Sequence, residues 1–193
     1  IPHEGVHLWI LRRDKKGPHI LLQQRSYQKQ KYPGYLDITV GGHVPFGLRD
    51  NKIQKEAFEE IGVNPMEPAL HDLGYFRYEA MEEGRIHREF QRVYLLTDDR
   101  PLDQYRFNDG EVMGIYAVPL HLLEELLEKD LELRIPGYNG VKLVDRPVTR
   151  KDFHPLFFDR AMKEYMAILF SAIHELVDGK TISSHMPLPL PGN

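Results

Sequence analysis

The sequence predicts an α+β fold with strands and helices in mixed order, and two observations carry that prediction. Stretches of apolar and β-branched residues with strand character lie on both sides of a segment, 50–62, whose apolar residues fall instead at helical spacing. Two more helical segments follow the last of these strands, so the chain is expected to close on a helical extension. At 193 residues it has the length of a single domain with additions and buries a real core.

The elements follow in order. "GVHLWILRR" and "HILLQQRS" are separated by Asp14, Gly17 and Pro18, and are expected to form a hairpin. "YLDITV" reads as a third strand. From Asp50 the period changes: Ile53, Ala57, Phe58 and Ile61 fall on one side of a helix that Gly62 ends, with Asp50 or Asn51 placed to cap its start. "LGYFRYEA" and "REFQRVYLLT", divided by the polar turn "MEEGR", are strands, and "VMGIYAV" is another. Pro119 opens a short helix over "LHLLEELLEKD", and the apolar spacing over 157–177 predicts a longer one. Between these helices, "IPGYNGVKLVDRPVTRKD" suits a loop or small hairpin. Its Lys142, Arg146, Arg150 and Lys151 belong either to a solvated surface or to a cover over a phosphate site. The proline-alternating end, "SSHMPLPLPGN", has the composition of an extended, poorly ordered tail.

Composition removes several functions. A formal net charge of -4 gives no basic field for a long nucleic acid. Apolar residues are 41% of the chain without any long apolar run, so no membrane span is expected. The absence of cysteine excludes disulfides, thiolate metal sites and a cysteine nucleophile, and fits a cytoplasmic location. The opening "IPHEGVHLWILRR" is too polar to be a signal-peptide core.

The chemistry concentrates in "DITVGGHVPFGLRDNKIQKEAFEEIGV", residues 37–63. A helix turns about 100° per residue, which gathers Glu56, Glu59 and Glu60 on one face. Like charges at this spacing repel by a few tenths of a kcal/mol (roughly, on an exposed helix), and a hard divalent cation offsets that repulsion. A plain solvated acidic face is the competing account of the carboxylates taken alone.

The surrounding residues decide between them. "KEAFEEIGV" resembles the second half of the Nudix signature, G-x5-E-x7-R-E-U-x-E-E-x-G-U with U apolar: Glu56, Glu59, Glu60, Gly62 and Val63 match in register, Ala57 fills the first apolar place, and Lys55 stands where the signature has arginine. The resemblance covers roughly residues 5–128. Counting from Gly42 places the first signature glutamate at Leu48 and leaves the loop one residue short; counting from Gly41 places it at Gly47, and neither residue is acidic. The loop is therefore expected to close differently at Gly47, and Lys55 lacks the planar fork of an arginine. "YPGYLDITVGGHV" is similar to the isopentenyl-diphosphate-isomerase-like branch, and the spacing of "GG....GL" and "N...KE..EE.G" to Nudix domains related to thiamine pyrophosphokinase.

The resemblance implies a mixed β-sheet sandwiched between helices, one domain over 1–178 with a tail over 179–193, and a Mg2+-dependent hydrolase of a diphosphate-linked small molecule, with Mn2+ as the other suitable ion. It implies Glu56, Glu59, Glu60 and the carbonyl of Gly42 as metal ligands. Glu59, Glu60, Glu89 and Glu111 are the candidates for catalytic carboxylates, and Arg25, His43 and Lys55 for contacts to phosphate. Tyr32, Tyr35, Phe76 and Tyr78 are expected in the core rather than stacked on a substrate ring. Thiamine-type, nucleoside-type and prenyl diphosphates are open as substrates, in that order. The family raises the expectation of a homodimer. An isomerase is disfavoured because that chemistry uses a cysteine, and a binding module without turnover because binding alone does not need the three glutamates.

Overall fold

The computed structural model of the chain describes residues 3–44, 52–66, 68–82 and 85–188, with the side chains of 3, 44, 80–82 and 85–87 left aside. The strands are β1 (His3–Asp14), β2 (Gly17–Arg25), β3 (Leu36–Asp37), β4 (Val40–Val44), β5 (Leu70–Glu82), β6 (Arg85–Thr97), β7 (Val112–Pro119), β8 (Leu133–Tyr138) and β9 (Leu143–Val148). The helices are α1 (Lys52–Ile61), α2 (Leu120–Glu128) and α3 (Lys163–Val177). The sheet runs β5-β6-β1-β2-β7-β8-β9, with every neighbouring pair antiparallel except β1 with β6.

Strand alternation divides the core into two layers. Val6, Leu8, Ile10 and Leu21 face α1 and pack with Ile53, Ala57 and Ile61. Trp9, Leu11, Ile20 and Leu22 face the other way, under Leu120, Leu123 and Leu126 of α2 and Tyr165, Leu169 and Ile173 of α3. Each fully buried Leu or Ile contributes about 2 kcal/mol. The sheet is thus sandwiched between helices, as expected.

Four expectations are corrected. "YLDITV" is two strands rather than one, because β3 pairs with β2 while β4 pairs with β1, and the chain crosses between them at Thr39. The Thr39 side chain, fully buried, bridges the parted strands: its Oγ1 accepts from Ile10 N at 3.1 Å and donates to Leu21 O. Phe58 does not join the apolar face of α1 and is 59% exposed. Residues 157–162 form 3-10 turns before α3, because Pro155 opens one turn and Asp159 caps the next through Ala161 N at 2.8 Å. The tail is extended but docked over 186–188: Met186 N and Leu188 N donate to Leu73 O and Tyr75 O on β5, at 2.7 and 3.2 Å, and Met186 is buried. The proposed caps Asp50 and Asn51 lie outside the described residues.

Gly62 ends α1 with φ +71, and the N–H of Val63 reaches back to Ala57 O at 3.1 Å, a glycine stop that satisfies the last carbonyls. The segment after a 3-10 turn at Leu102–Gln104 completes that end. Arg106 N and Asn108 N donate to Ile61 O and Glu59 O, at 3.0 and 3.1 Å, which anchors the chain leading to Glu111 beside α1.

Candidate active site

The helical angle explains how three glutamates on one side of α1 come to have different surroundings. Measured at about 100° per residue, Glu60 falls within roughly 20° of Ile53, Glu56 lies at the flank, and Glu59 further out. Glu60 accordingly lies inside the buried arc, 2% exposed, and Glu59 is half exposed. Phe58 falls beyond the far edge of the same arc, which is why it is exposed.

Burying a carboxylate requires a partner. Gln23 of β2 provides it: Nε2 donates to Glu60 Oε2 at 2.7 Å and to Thr39 O at 3.2 Å. Burial pushes the Glu60 carboxyl well above the usual range; the Gln23 bond opposes this, and the charges of Glu56, Asp109 and Glu111 add to it. Three other carboxylates are each paired with a lysine. Glu56 pairs with Lys52, Glu111 with Lys29, and Glu59 with Lys55 at 3.8 Å.

Among the described residues, no three His, Asp or Glu side chains are gathered to hold a metal ion as they stand. The donor set nevertheless fits a hard divalent cation, since every acidic group at this edge offers oxygen. Glu56 also lies directly against the Gly42 backbone, where an added Cβ would fall 2.5 Å from Oε2. Gly42, Glu56 and Glu60 are thereby brought to one place, where β4 and α1 meet.

A cavity of about 760 Å³ opens at that place, a volume that suits a small-molecule ligand. It is lined by Glu60, Gln23, Gly41, Gly42 and His43, and also by Glu89 and Glu111, so the structure brings these candidates together. Glu56, Glu59 and Lys55 do not line it; Lys55 is directed to Glu59. Arg25 lines the cavity with its guanidinium already committed. Nη1 donates to Asp37 at 3.0 Å, and Nε and Nη2 hold the carbonyls of Tyr32 and Lys31 at 3.2 and 3.0 Å. Arg25 thus fixes the loop in which Tyr32 takes φ +52.

Of the four rings expected in the core, Phe76 is buried there and Tyr78 packs against it, while Tyr32 is exposed instead; Tyr32, Phe76 and Tyr78 also line the cavity, and Tyr35 does not. Tyr32 packs on His154 with ring centroids 4.2 Å apart. The basic hairpin β8–β9 does not cover the cavity: Arg146 holds Asp152 at 2.9 Å and Arg150 holds Leu126 O at 2.7 Å, and the lysines at the cavity are Lys29 and Lys31. Gly47 and Leu48 lie outside the described residues. Counted from Gly41, the signature reaches Lys55 at its full length, so no shortened loop is required.

Sequence reasoning missed Gln23, His7, His154 and Tyr165. Gln23 had a local signal, a pair of glutamines inside an otherwise apolar strand. The others had none, because their partners lie far away in the chain.

Comparison with known proteins matches these features. The NUDIX domain model matches residues 2–138. An uncharacterized Nudix hydrolase of Clostridium acetobutylicum is 24% identical over 130 residues, 67% of this chain and 63% of that protein. Nudix hydrolase 3 of Arabidopsis thaliana is 32% identical over 141 residues, 69% of this chain and 18% of that protein. The chain therefore spans less than two thirds of either relative. Among solved structures, a MutT/nudix family protein from Enterococcus faecalis has a TM-score of 0.53 at 16% identity, covering 92% of this chain and 63% of that one. The NUDIX domain of Shewanella oneidensis NrtR, complexed with ADP ribose, has a TM-score of 0.52 at 14% identity, covering 65% of this chain and 77% of that one. At such identities these two likenesses speak for the fold alone.

Proposed function

The chain belongs to the NUDIX domain family, and we propose that it is a magnesium-dependent hydrolase cleaving the diphosphate linkage of a nucleoside- or thiamine-type derivative by attack of activated water. The observation that carries this reading is Glu60: a buried carboxylate of raised proton affinity, held by Gln23 at 2.7 Å, at the wall of the cavity beside Gly42. Magnesium, or manganese in its place, would be held by Glu56, Glu59, Glu60 and the Gly42 carbonyl, and supplies neutralisation of the phosphates and activation of water.

The chain's own residues do the rest. Gln23 fixes the orientation of Glu60, the first candidate to take a proton from the attacking water. Glu111 and Glu89 share the cavity and are the alternative bases. Lys29 and His43 sit at the same cavity and offer donors to phosphate oxygen. Burial between α1 and the sheet keeps bulk water from Glu60.

The test is release of phosphate or monophosphate from a panel of diphosphates with magnesium, comparing the unaltered chain with Glu60→Gln, Glu59→Gln, Glu89→Gln and Glu111→Gln. Metal-dependent product that is lost with Glu60→Gln supports the reading. Tight binding with no product on any substrate turns it to a binding module.

A further inference from the structure

On the sheet face turned away from α1, the cavity meets a polar relay that diphosphate cleavage does not use. Trp9 Nε1 is a donor only, and it gives its proton to the Tyr165 hydroxyl at 2.7 Å. The same hydroxyl lies 3.0 Å from His7 Nδ1. Tyr165 is fully buried, and among the described residues its hydroxyl has no other hydrogen-bond partner. Were Nδ1 protonated, the buried hydroxyl hydrogen would be left with no acceptor among the described residues, a cost of about 1–3 kcal/mol. The network therefore makes Tyr165 the donor to Nδ1 and assigns the ring proton to Nε2.

Desolvation holds His7 neutral, pushing it down to about 4. Its ring lines the cavity, and with Nδ1 engaged, Nε2–H is the group it has left to offer. His7 pairs across the strands with Gly41, whose missing side chain would point at His7 Cδ2 from 3.9 Å. The ring thus stands next to the glycines of the diphosphate end, but on the opposite face of β1 from α1. Ile38, Phe76, Leu156 and Met162 give the same cavity its apolar lining. A charged phosphate would be better met by Lys29 and Lys31 of the cavity and by a metal held at Glu60; a neutral, one-sided donor matches a neutral acceptor.

We propose that His7 Nε2–H, set by Tyr165 and Trp9, is a specificity-determining donor that binds a ring nitrogen or carbonyl oxygen on the group attached to the diphosphate. His7 selects heterocyclic diphosphates against prenyl diphosphates, whose hydrocarbon offers no acceptor. Tyr165 is a positioning residue that acts through His7. This proposal rests on the reading of the cavity as a diphosphate hydrolase site.

The test is calorimetric titration of the unaltered chain, His7→Leu and Tyr165→Phe with thiamine diphosphate, uridine diphosphate and dimethylallyl diphosphate. Calcium replaces magnesium, so that binding is read whether or not turnover occurs. The unaltered chain is expected to prefer at least one heterocyclic compound over the dimethylallyl one by about tenfold, the worth of one hydrogen bond. His7→Leu reduces that preference by about five- to tenfold, and Tyr165→Phe reduces it by less, with the ring contacts of Tyr165 kept. Equal affinity of the unaltered chain for all three compounds overturns the proposal, as does a preference left intact by both variants, or no binding at all. A preference with these variant effects but no product in magnesium leaves His7 as the selector and overturns the hydrolase reading instead.

Discussion

The two walls of the cavity are built on opposite principles. The α1 side gathers carboxylates: Glu60, which lines the cavity and is held by the Gln23 amide, and Glu56 and Glu59, which pair with lysines off the lining. On the other face of β1, Trp9, Tyr165 and His7 are linked by hydrogen bonds between uncharged groups, with Phe76 packed edge-on against Tyr165 at 5.3 Å and the Asp37 carboxylate near enough to act on His7. The first wall stores charge that a cation and phosphates can use, at a cost to the fold; the second fixes a donor without charge. In the reading proposed above, the difference would separate the bond-breaking end of the cavity from the end that reads the attached group.

The comparison is broken most severely at Glu60. Glu60→Gln is expected to lower kcat/KM by roughly a thousandfold, within the range for loss of a general base. The same variant is expected to be more stable than the unaltered chain at alkaline pH. A carboxyl whose folded pKa is raised above 4.5 contributes stability fully present below that value and lost as pH rises through the folded one, and the amide does not titrate. Thermal melts across pH check the sign.

On the neutral wall the largest effect is a pH dependence of stability. Burial pushes His7 from its ordinary 6.5 down to about 4 in the folded chain, so between those values the unfolded chain binds the extra proton and stability falls as pH is lowered. The loss is on the order of 3 kcal/mol over that window, and none of it arises above 6.5. Urea unfolding at stepped pH reads it, and His7→Leu should flatten this part of the curve.

Gly42→Ala sharpens the α1 wall by a smaller amount. The new methyl would meet the flexible end of Glu56 at 2.5 Å, so the fold persists while the carboxylate is displaced. Magnesium affinity is expected to fall by roughly tenfold, comparable to loss of a supporting contact, as read by calorimetry. The smallest effect lies outside the cavity. The Ser183 hydroxyl donates to Glu175, with Ser183 N and Ser184 N adding bonds at 3.0 and 3.1 Å, and together they hold its carboxyl down to about 2. Glu175→Gln should loosen the tail, seen as earlier proteolytic cutting near 183, with little change in the melting temperature.

The same contrast explains what was legible in the sequence. The α1 wall could be read because its parts are close together: Gly41, Gly42, Glu56 and Glu60 fall within one short stretch, at spacings a helix converts into a face. Even there, burial of Glu60 and exposure of Phe58 depended on how the helix is rotated against the sheet, which only packing sets. The hairpin and the strands were legible from alternation, but the break of "YLDITV" was not, since it depends on β1 and β2 parting around Thr39. The neutral wall was not legible. Tyr165 stands 158 positions from His7, and an apolar-looking helix gives no sign that one of its rings closes a hydrogen-bond relay.

The central claim is that the Glu60 wall turns over a diphosphate. The most direct measurement is phosphorus NMR of products formed in isotopically labelled water, with thiamine and nucleoside diphosphate derivatives, with and without magnesium. The account predicts magnesium-dependent phosphate or monophosphate carrying the label, reduced roughly a thousandfold in Glu60→Gln. Binding of these compounds with no labelled product at any magnesium concentration, or full activity in Glu60→Gln, would contradict it.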